Sequence, residues 1–269
     1  MRKLISVDID LTILPECKIM PKEIIEYFHH LHSLGHIIVL NTGRPVPGAY
    51  NYYLEFNGDC ILASDNGTRI INPLDFEFEQ ITNAMDTNRL QSFLEEISDD
   101  IYMSLGIDNH DLYMNDESLV PFWMLHRFDD SILYTGKEFY KYFKNPISLL
   151  NLWIKTDKVE HMLEIKKKYP EFDLFDWGAS EGHHAYELTN SGGNKSFAIK
   201  MLSEKYRIPY NNIYCFGDAL NDLSMFVDGV NSVAMLNGCN EIKAKAKEIT
   251  ELDCDHFGVI DYLKKHLEE

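Results

Sequence analysis

The run LISV (Leu4–Val7) is apolar throughout and leads into DIDLT, and apolar runs of this kind recur along the first part of the chain. PKEIIEYFHHLHSLG has its apolar residues at helical spacing, with Pro21 near the start and Gly35 at the end, and predicts an amphipathic helix. HIIVLNTGR predicts a second strand ending in a polar turn, VPGAYNYYLEF a short helix, and CILASDNGTRI a third strand running into a turn. Continuously apolar strands alternating with helices predict a parallel sheet covered on both faces. The rhythm returns late in the chain: NKSFAIKMLSEKYRI reads as a helix, NIYCFGD as a buried strand and ALNDLSMF as a short helix. NSVAML then reads as a strand and GVIDYLKKHL as a closing helix.

Between these parts, from about Phe78 to Leu188, the strand patterns alternate in polarity (IYMSLGI, HDLYMN, LLNLWIKT, HAYELTN) and are interleaved with helices such as TNRLQSFLEEI and KVEHMLEIKKKY. Alternation predicts an antiparallel sheet with one face packed on helices. The expected fold class is α/β, a Rossmann-like doubly wound parallel sheet core with an inserted α+β cap domain. The core is discontinuous, at 1–78 and 189–269, and the cap spans 79–188.

Composition narrows the function classes. The 269 residues are 45% hydrophobic and 25% charged, as in ordinary globular proteins. Apolar runs such as Ile37–Leu40 fall far short of the roughly 20 residues of a membrane span, and MRKLISVDID reaches a charge too early for a secretory leader. Five cysteines (Cys17, Cys60, Cys215, Cys239 and Cys254), odd in number and without a CxxC pair, read as free thiols in a reducing compartment, so cytoplasm is expected. With 25 basic and 43 acidic residues the net charge is -18, which sets nucleic acid aside as a partner. The expected partner is a small molecule, with no membrane, and the chain is expected as a monomer or small homo-oligomer.

Functional groups of a doubly wound sheet collect beyond the C-terminal ends of its strands. Here those positions hold Asp8, Asp10 and Thr12; Thr42, Gly43 and Arg44; Asp65, Asn66 and Gly67; and Gly217, Asp218, Asn221 and Asp222. Aspartates are poor strand formers, and like charges this close hinder one another's ionisation. Four carboxylates on one rim, Asp8, Asp10, Asp218 and Asp222, call for a cation, and hard oxygen donors with no Cys or His pair nearby favour magnesium over zinc.

The ordered motifs DIDLT, NTGR, GGNKS and GDALND closely resemble those of the haloacid-dehalogenase-like phosphohydrolases, over essentially the whole chain. The position and size of the insertion, between the second and third motifs, resemble the large cap of the Cof-like branch. The resemblance implies Asp8 as nucleophile forming an aspartyl-phosphate and Asp10 as general acid and then base, with a raised pKa. It implies Mg2+ held by Asp8, the backbone carbonyl of Asp10, and Asp218, with Asp222 near it. Thr42 with the Gly43 amide would bind phosphoryl oxygens, Lys195 would offset charge on Asp8 and the phosphoryl group, and Asn221 would help position the metal loop. Arg44 is a substrate contact or an ion pair. Two departures stand out: Leu11 where the branch usually has glycine, and Ser196 where glycine often follows the lysine.

The implied activity is a Mg-dependent phosphatase of small phosphorylated metabolites, sugar phosphates favoured. An acid at Asp10 separates it from the dehalogenase and ion-pumping branches. A phosphomutase of phosphosugars would use the same residues, and a non-catalytic regulatory protein would retain the fold. His183 and His184, with Asp176 and Trp177, are expected in a loop before the last cap strand that is either solvated or a specificity loop. His29, His30 and His32 read as surface or packing residues of an amphipathic helix rather than ligands, Lys166–Lys168 as a solvated face, and Trp123 and Trp153 as core or domain-interface residues.

Overall fold

The computed structural model describes residues 1–71 and 81–267, so the expected 78/79 boundary lies outside the described residues. Contacts divide the chain into two compact units: Met1–Arg44, Ala49–Ile81 and Asn194–Glu269 form one, and Pro45–Gly48 with Thr82–Gly193 form the other.

Apart from residues 46–48 and Thr82, which count with the second, the first unit runs β1 (Leu4–Val7), α1 (Lys22–Ser33), β2 (Ile37–Asn41), α2 (Val46–Glu55), β3 (Cys60–Ser64), β4 (Arg69–Ile71) and β5 (Ile81–Thr82) before the insertion. The second unit contributes α3 (Thr87–Glu96), β6 (Ile101–Ile107), β7 (Leu112–Met114), β8 (Leu133–Thr135), β9 (Leu149–Lys155), α4 (Val159–Lys166), β10 (Phe172–Ser180) and β11 (His183–Asn190). The chain then returns to the first unit through α5 (Lys195–Tyr206), β12 (Ile213–Gly217), β13 (Asn231–Ala234), α6 (Asn240–Lys245), β14 (Glu248–Ile249) and α7 (Gly258–Leu267).

The first unit's sheet has the order β14-β13-β12-β1-β2-β3-β4-β5. Its pairings from β14 to β3 are parallel, and β4 returns antiparallel to β3. CILASDNGTRI is therefore two short strands around a turn rather than one strand. Successive side chains of a strand point to opposite faces, and this divides the core in two. Ile5, Val7, Ile38, Leu40 and Leu62 pack with Phe28, Tyr53, Phe56 and Leu263 from α1, α2, the loop after α2, and α7. Leu4, Ile37, Val39, Ile61 and Cys215 pack with Ala198, Ile199 and Leu202 of α5. Helices on both faces explain why these strands are apolar at every position.

The second unit has a six-stranded sheet, β10-β11-β9-β6-β7-β8, antiparallel except for β7 against β8. One face (Leu150, Leu152, Ile154, Leu188) packs on Leu90, Phe93 and Leu94 of α3 and Met162 of α4. The other gathers Met103, Leu105, Leu112 and Met114 with Val120. His183 and His184 lie within β11, not in a loop: His183 stacks on Tyr102 at 4.7 Å, and His184 Nε2 sits 2.6 Å from Asp176 Oδ1. A hairpin too short to leave these residues outside the ladder explains the difference. Trp123 is not a core residue; it is 73% exposed, while Trp153 is half-buried beside the second cluster. His29 and His32 reach solvent from α1, and both Nδ1 atoms meet the Asp59 carboxylate, at 2.5 and 2.8 Å. Among the described residues all five cysteines are free, and no helix is long and apolar enough to cross a membrane.

Candidate active site

Strand β1 delivers Asp8 to the sheet's C-terminal edge, where its backbone N–H donates to Phe216 O at 3.0 Å and so ties it to β12. The segment after β12 carries Asp218 and, within a short 3-10 helix over Leu220–Met225, Asp222. One carboxylate oxygen from each of Asp8, Asp218 and Asp222 lies within 4.8 Å of the others, and all three residues are buried. Lys195, the first residue of α5 after its N-cap Asn194, is fully buried. Its ammonium donates to Asp8 Oδ1 and Asp222 Oδ1, each at 2.5 Å. A lysine at a helix N-terminus opposes the helix dipole, and here the two carboxylates compensate.

Three carboxylates against one ammonium leave the cluster anionic when ionised. Burial raises the Asp8 pKa, with the charges of Asp222 and Asp218 adding to it and Lys195 opposing. Burial and Asp222 likewise push Asp218 up to about 6. Such a set of hard oxygen donors, with no thiol or imidazole among them, fits a divalent cation of the magnesium type. The three aspartates are not equivalent. Asp222 Oδ2 accepts from the backbone N–H groups of Asp218 and Ala219 at 2.9 and 3.0 Å, so both its oxygens hold protein groups in place. Asp218 Oδ1 accepts from the Thr12 hydroxyl at 3.1 Å. No hydrogen bond among the described residues reaches the second oxygen of Asp8 or Asp218. Gly217 is required beside them, because a Cβ there would overlap the Asp222 carboxyl group.

Asp10 stands outside the carboxylate cluster. Arg44 donates to it through Nε at 2.7 Å and through a terminal nitrogen at 2.8 Å, and Lys18 donates at 2.5 Å. The expectation of a raised pKa is corrected: burial acts upward, but the hydrogen bonds and charges of Arg44 and Lys18 outweigh it and hold the group at about 2. Neighbouring cations that sequence spacing did not bring to Asp10 are the reason. Leu11, where glycine was expected, has φ 57°. The backbone keeps the left-handed turn that glycine favours while the leucine side chain packs against the core.

Thr42 is buried, and its hydroxyl accepts the Arg44 N–H at 3.1 Å. The turn after β3 supports this segment: Asp65 N donates to Arg44 O at 3.0 Å and Asn66 N to Thr42 O at 2.9 Å. Asn221 Nδ2 donates to Asn66 Oδ1 at 2.9 Å. Asn66 thus links the second motif to the fourth, and Gly43 lies against it, since a Cβ there would come 3.1 Å from Asn66 Oδ1. Asp65 pairs with Arg69 at 3.1 Å and is not part of the carboxylate cluster. Sequence reading placed Thr12 and Asn66 at strand ends without naming their partners, and did not single out Lys18 or Asn41. For Asn41 a signal was present, a polar side chain ending the run IIVL. Asn41 is fully buried, its Nδ2 donates to Lys195 O at 3.0 Å, and its Oδ1 has no partner among the described residues. An unpaired buried carbonyl costs about 1–3 kcal/mol.

A profile of the haloacid dehalogenase-like hydrolases matches residues 5–263. The chain is 23% identical to the 5-amino-6-(5-phospho-D-ribitylamino)uracil phosphatase YitU of Bacillus subtilis, over 98% of this chain and 97% of that protein. Its fold matches a haloacid dehalogenase-like hydrolase from Bacteroides thetaiotaomicron with a TM-score of 0.79 and 23% identity, covering 99% of this chain and 100% of the other. A subclass IIB sugar phosphatase of the same superfamily superposes with a TM-score of 0.73 and 19% identity, over 98% of each chain. With its four motifs gathered on one sheet edge, the chain belongs to the haloacid dehalogenase-like hydrolases and is an enzyme of their phosphatase class.

Proposed function

We propose that the protein hydrolyses phosphate monoesters of small metabolites, sugar phosphates foremost, through an aspartyl-phosphate on Asp8 and with Mg2+ as cofactor. The observation that carries this reading is the buried contact of Lys195 with Asp8 and Asp222, beside Asp218, in a cluster short of positive charge. The sugar-phosphate preference is supported by likeness to a sugar phosphatase and to a phosphatase of a phosphoribityl compound.

A carboxylate oxygen of Asp8 attacks phosphorus, the P–O bond to the substrate breaks, and a phosphoryl group is left on the carboxylate. Lys195 fixes the attacking group and offsets the charge that gathers on the phosphoryl oxygens. Thr42 and the Gly43 amide hold those oxygens. Asp10 gives a proton to the leaving oxygen and then takes one from the water that cleaves the aspartyl-phosphate, returning Asp8. For the first of these steps Asp10 must exchange Arg44 or Lys18 for a proton, which an incoming anionic ester, itself attractive to both cations, promotes. Asp8 and Asp218, with the Asp10 backbone carbonyl, would hold the metal, which supplies charge neutralisation and substrate orientation, and Asp222 would keep Lys195 and the loop in register. The protein works in the cytoplasm, where its free thiols are stable.

The test is a panel of phosphorylated metabolites assayed for inorganic phosphate, with and without a metal chelator. Turnover with magnesium and loss on chelation are expected. Labelled phosphate retained on a rearranged sugar would instead establish a mutase, and no turnover on any ester would refute catalysis.

A further inference from the structure

We infer that Asn41 is a positioning residue for Lys195, holding the backbone of the catalytic lysine through its side-chain amide. This rests on the proposed role of Lys195 as the cation that serves Asp8. Asn41 ends β2 and is fully buried. Its Nδ2 donates to Lys195 O at 3.0 Å, to Ser6 Oγ at 3.2 Å and to Met225 Sδ at 3.4 Å. Those acceptors belong to the three segments that carry the ion-paired groups: Ser6 lies two residues before Asp8, Met225 three after Asp222, and the third is Lys195 itself.

The amide is fitted for this at a cost. Its Oδ1 is one of two buried side-chain polar atoms without a partner among the described residues. It faces Gly67, where an added Cβ would come 2.7 Å from Oδ1 and 2.8 Å from Lys195 Cα. The amide orientation follows from its surroundings, since the reverse would set two carbonyl oxygens against each other at Lys195. The unpartnered Oδ1 costs stability that an apolar residue ending the run Ile37–Leu40 would not, which sets the stabilising contacts of Nδ2 against a penalty. Lysine reaches its partners on a flexible four-carbon stem. Fixing the backbone at one end while two carboxylates hold the ammonium at the other removes the slack that would let the charge drift from Asp8.

The experiment is Asn41→Val, with Asn41→Ala as a second variant and Lys195→Met as the control. Thermal midpoints, kcat and KM are measured on a phosphomonoester, well below the melting temperature. Valine suits a strand and removes the unpaired carbonyl together with the donor; Ser6 Oγ keeps its contact to Met225 Sδ at 3.5 Å. The expected result is a midpoint within about 3 °C of the native protein or above it. The kcat should fall roughly 10- to 100-fold with KM little changed. A native kcat per folded molecule in both variants, or activity lost only in proportion to folded protein, overturns the inference while an inactive Lys195→Met leaves the reaction scheme standing. Native turnover by Lys195→Met overturns the scheme itself.

Discussion

Removing the divalent cation should cost the protein stability in a pH-dependent way. Asp218 is 9% exposed, and its pKa is raised from an ordinary 3.8 to about 6, by burial first and by Asp222 second. The folded protein therefore holds this proton more tightly than the unfolded chain between about pH 4 and 6. The stability contributed by the group is present below that window and lost as the pH rises through it. The shift is equivalent to about 3 kcal/mol at neutral pH. Asp8 shifts in the same direction. A magnesium ion on the ionised oxygens offsets this penalty, so the gain in melting temperature on adding magnesium should grow from near zero at about pH 5 to about 5–10 °C at about pH 8. Thermal unfolding followed by intrinsic fluorescence, with millimolar magnesium against a chelator, measures it. Asp218→Asn should reduce the pH-dependent part, leaving the part that Asp8 contributes. An equal gain at both pH values, or none at the higher, would refute the charge argument.

Asp8→Asn, nearly isosteric, should abolish release of inorganic phosphate and leave the circular dichroism spectrum native; residual turnover near the wild-type rate would remove Asp8 as nucleophile. Asp10→Asn should lower kcat by roughly 10²–10⁴-fold, read by steady-state phosphate release, and an unchanged kcat would remove the acid/base role. Gly217→Ala should destabilise the loop and cut activity, because the new methyl overlaps Asp222; melting and activity together check it, and two native values would show that the loop yields. Leu11→Gly should change stability by less than about 1 kcal/mol in denaturant unfolding. Relief of a left-handed leucine, about 1–2 kcal/mol, is offset by the half-buried packing lost and by the greater freedom of glycine in the unfolded chain.

Much of the unit built on β1, β2, β3 and β12 was legible in the chain. Strands covered on both faces must be apolar at every position, and helices covering them must be apolar along one stripe, so both leave periodic marks. The motif aspartates were legible because strand ends are where a doubly wound sheet places its functional groups. Partners were not legible. Periodicity does not say that Lys18 and Arg44 close on Asp10, which reverses the direction of its pKa shift. Nor does it say that Asn66 joins Thr42 to Asn221 or that His183 and His184 are paired inside a strand. Those contacts join residues far apart in sequence, such as Asn41 and Lys195, and their distances and burial exist only once the chain is folded. Hydrophobic pattern is local and written residue by residue; electrostatic environment is a sum over spatial neighbours, and only the tertiary structure supplies them.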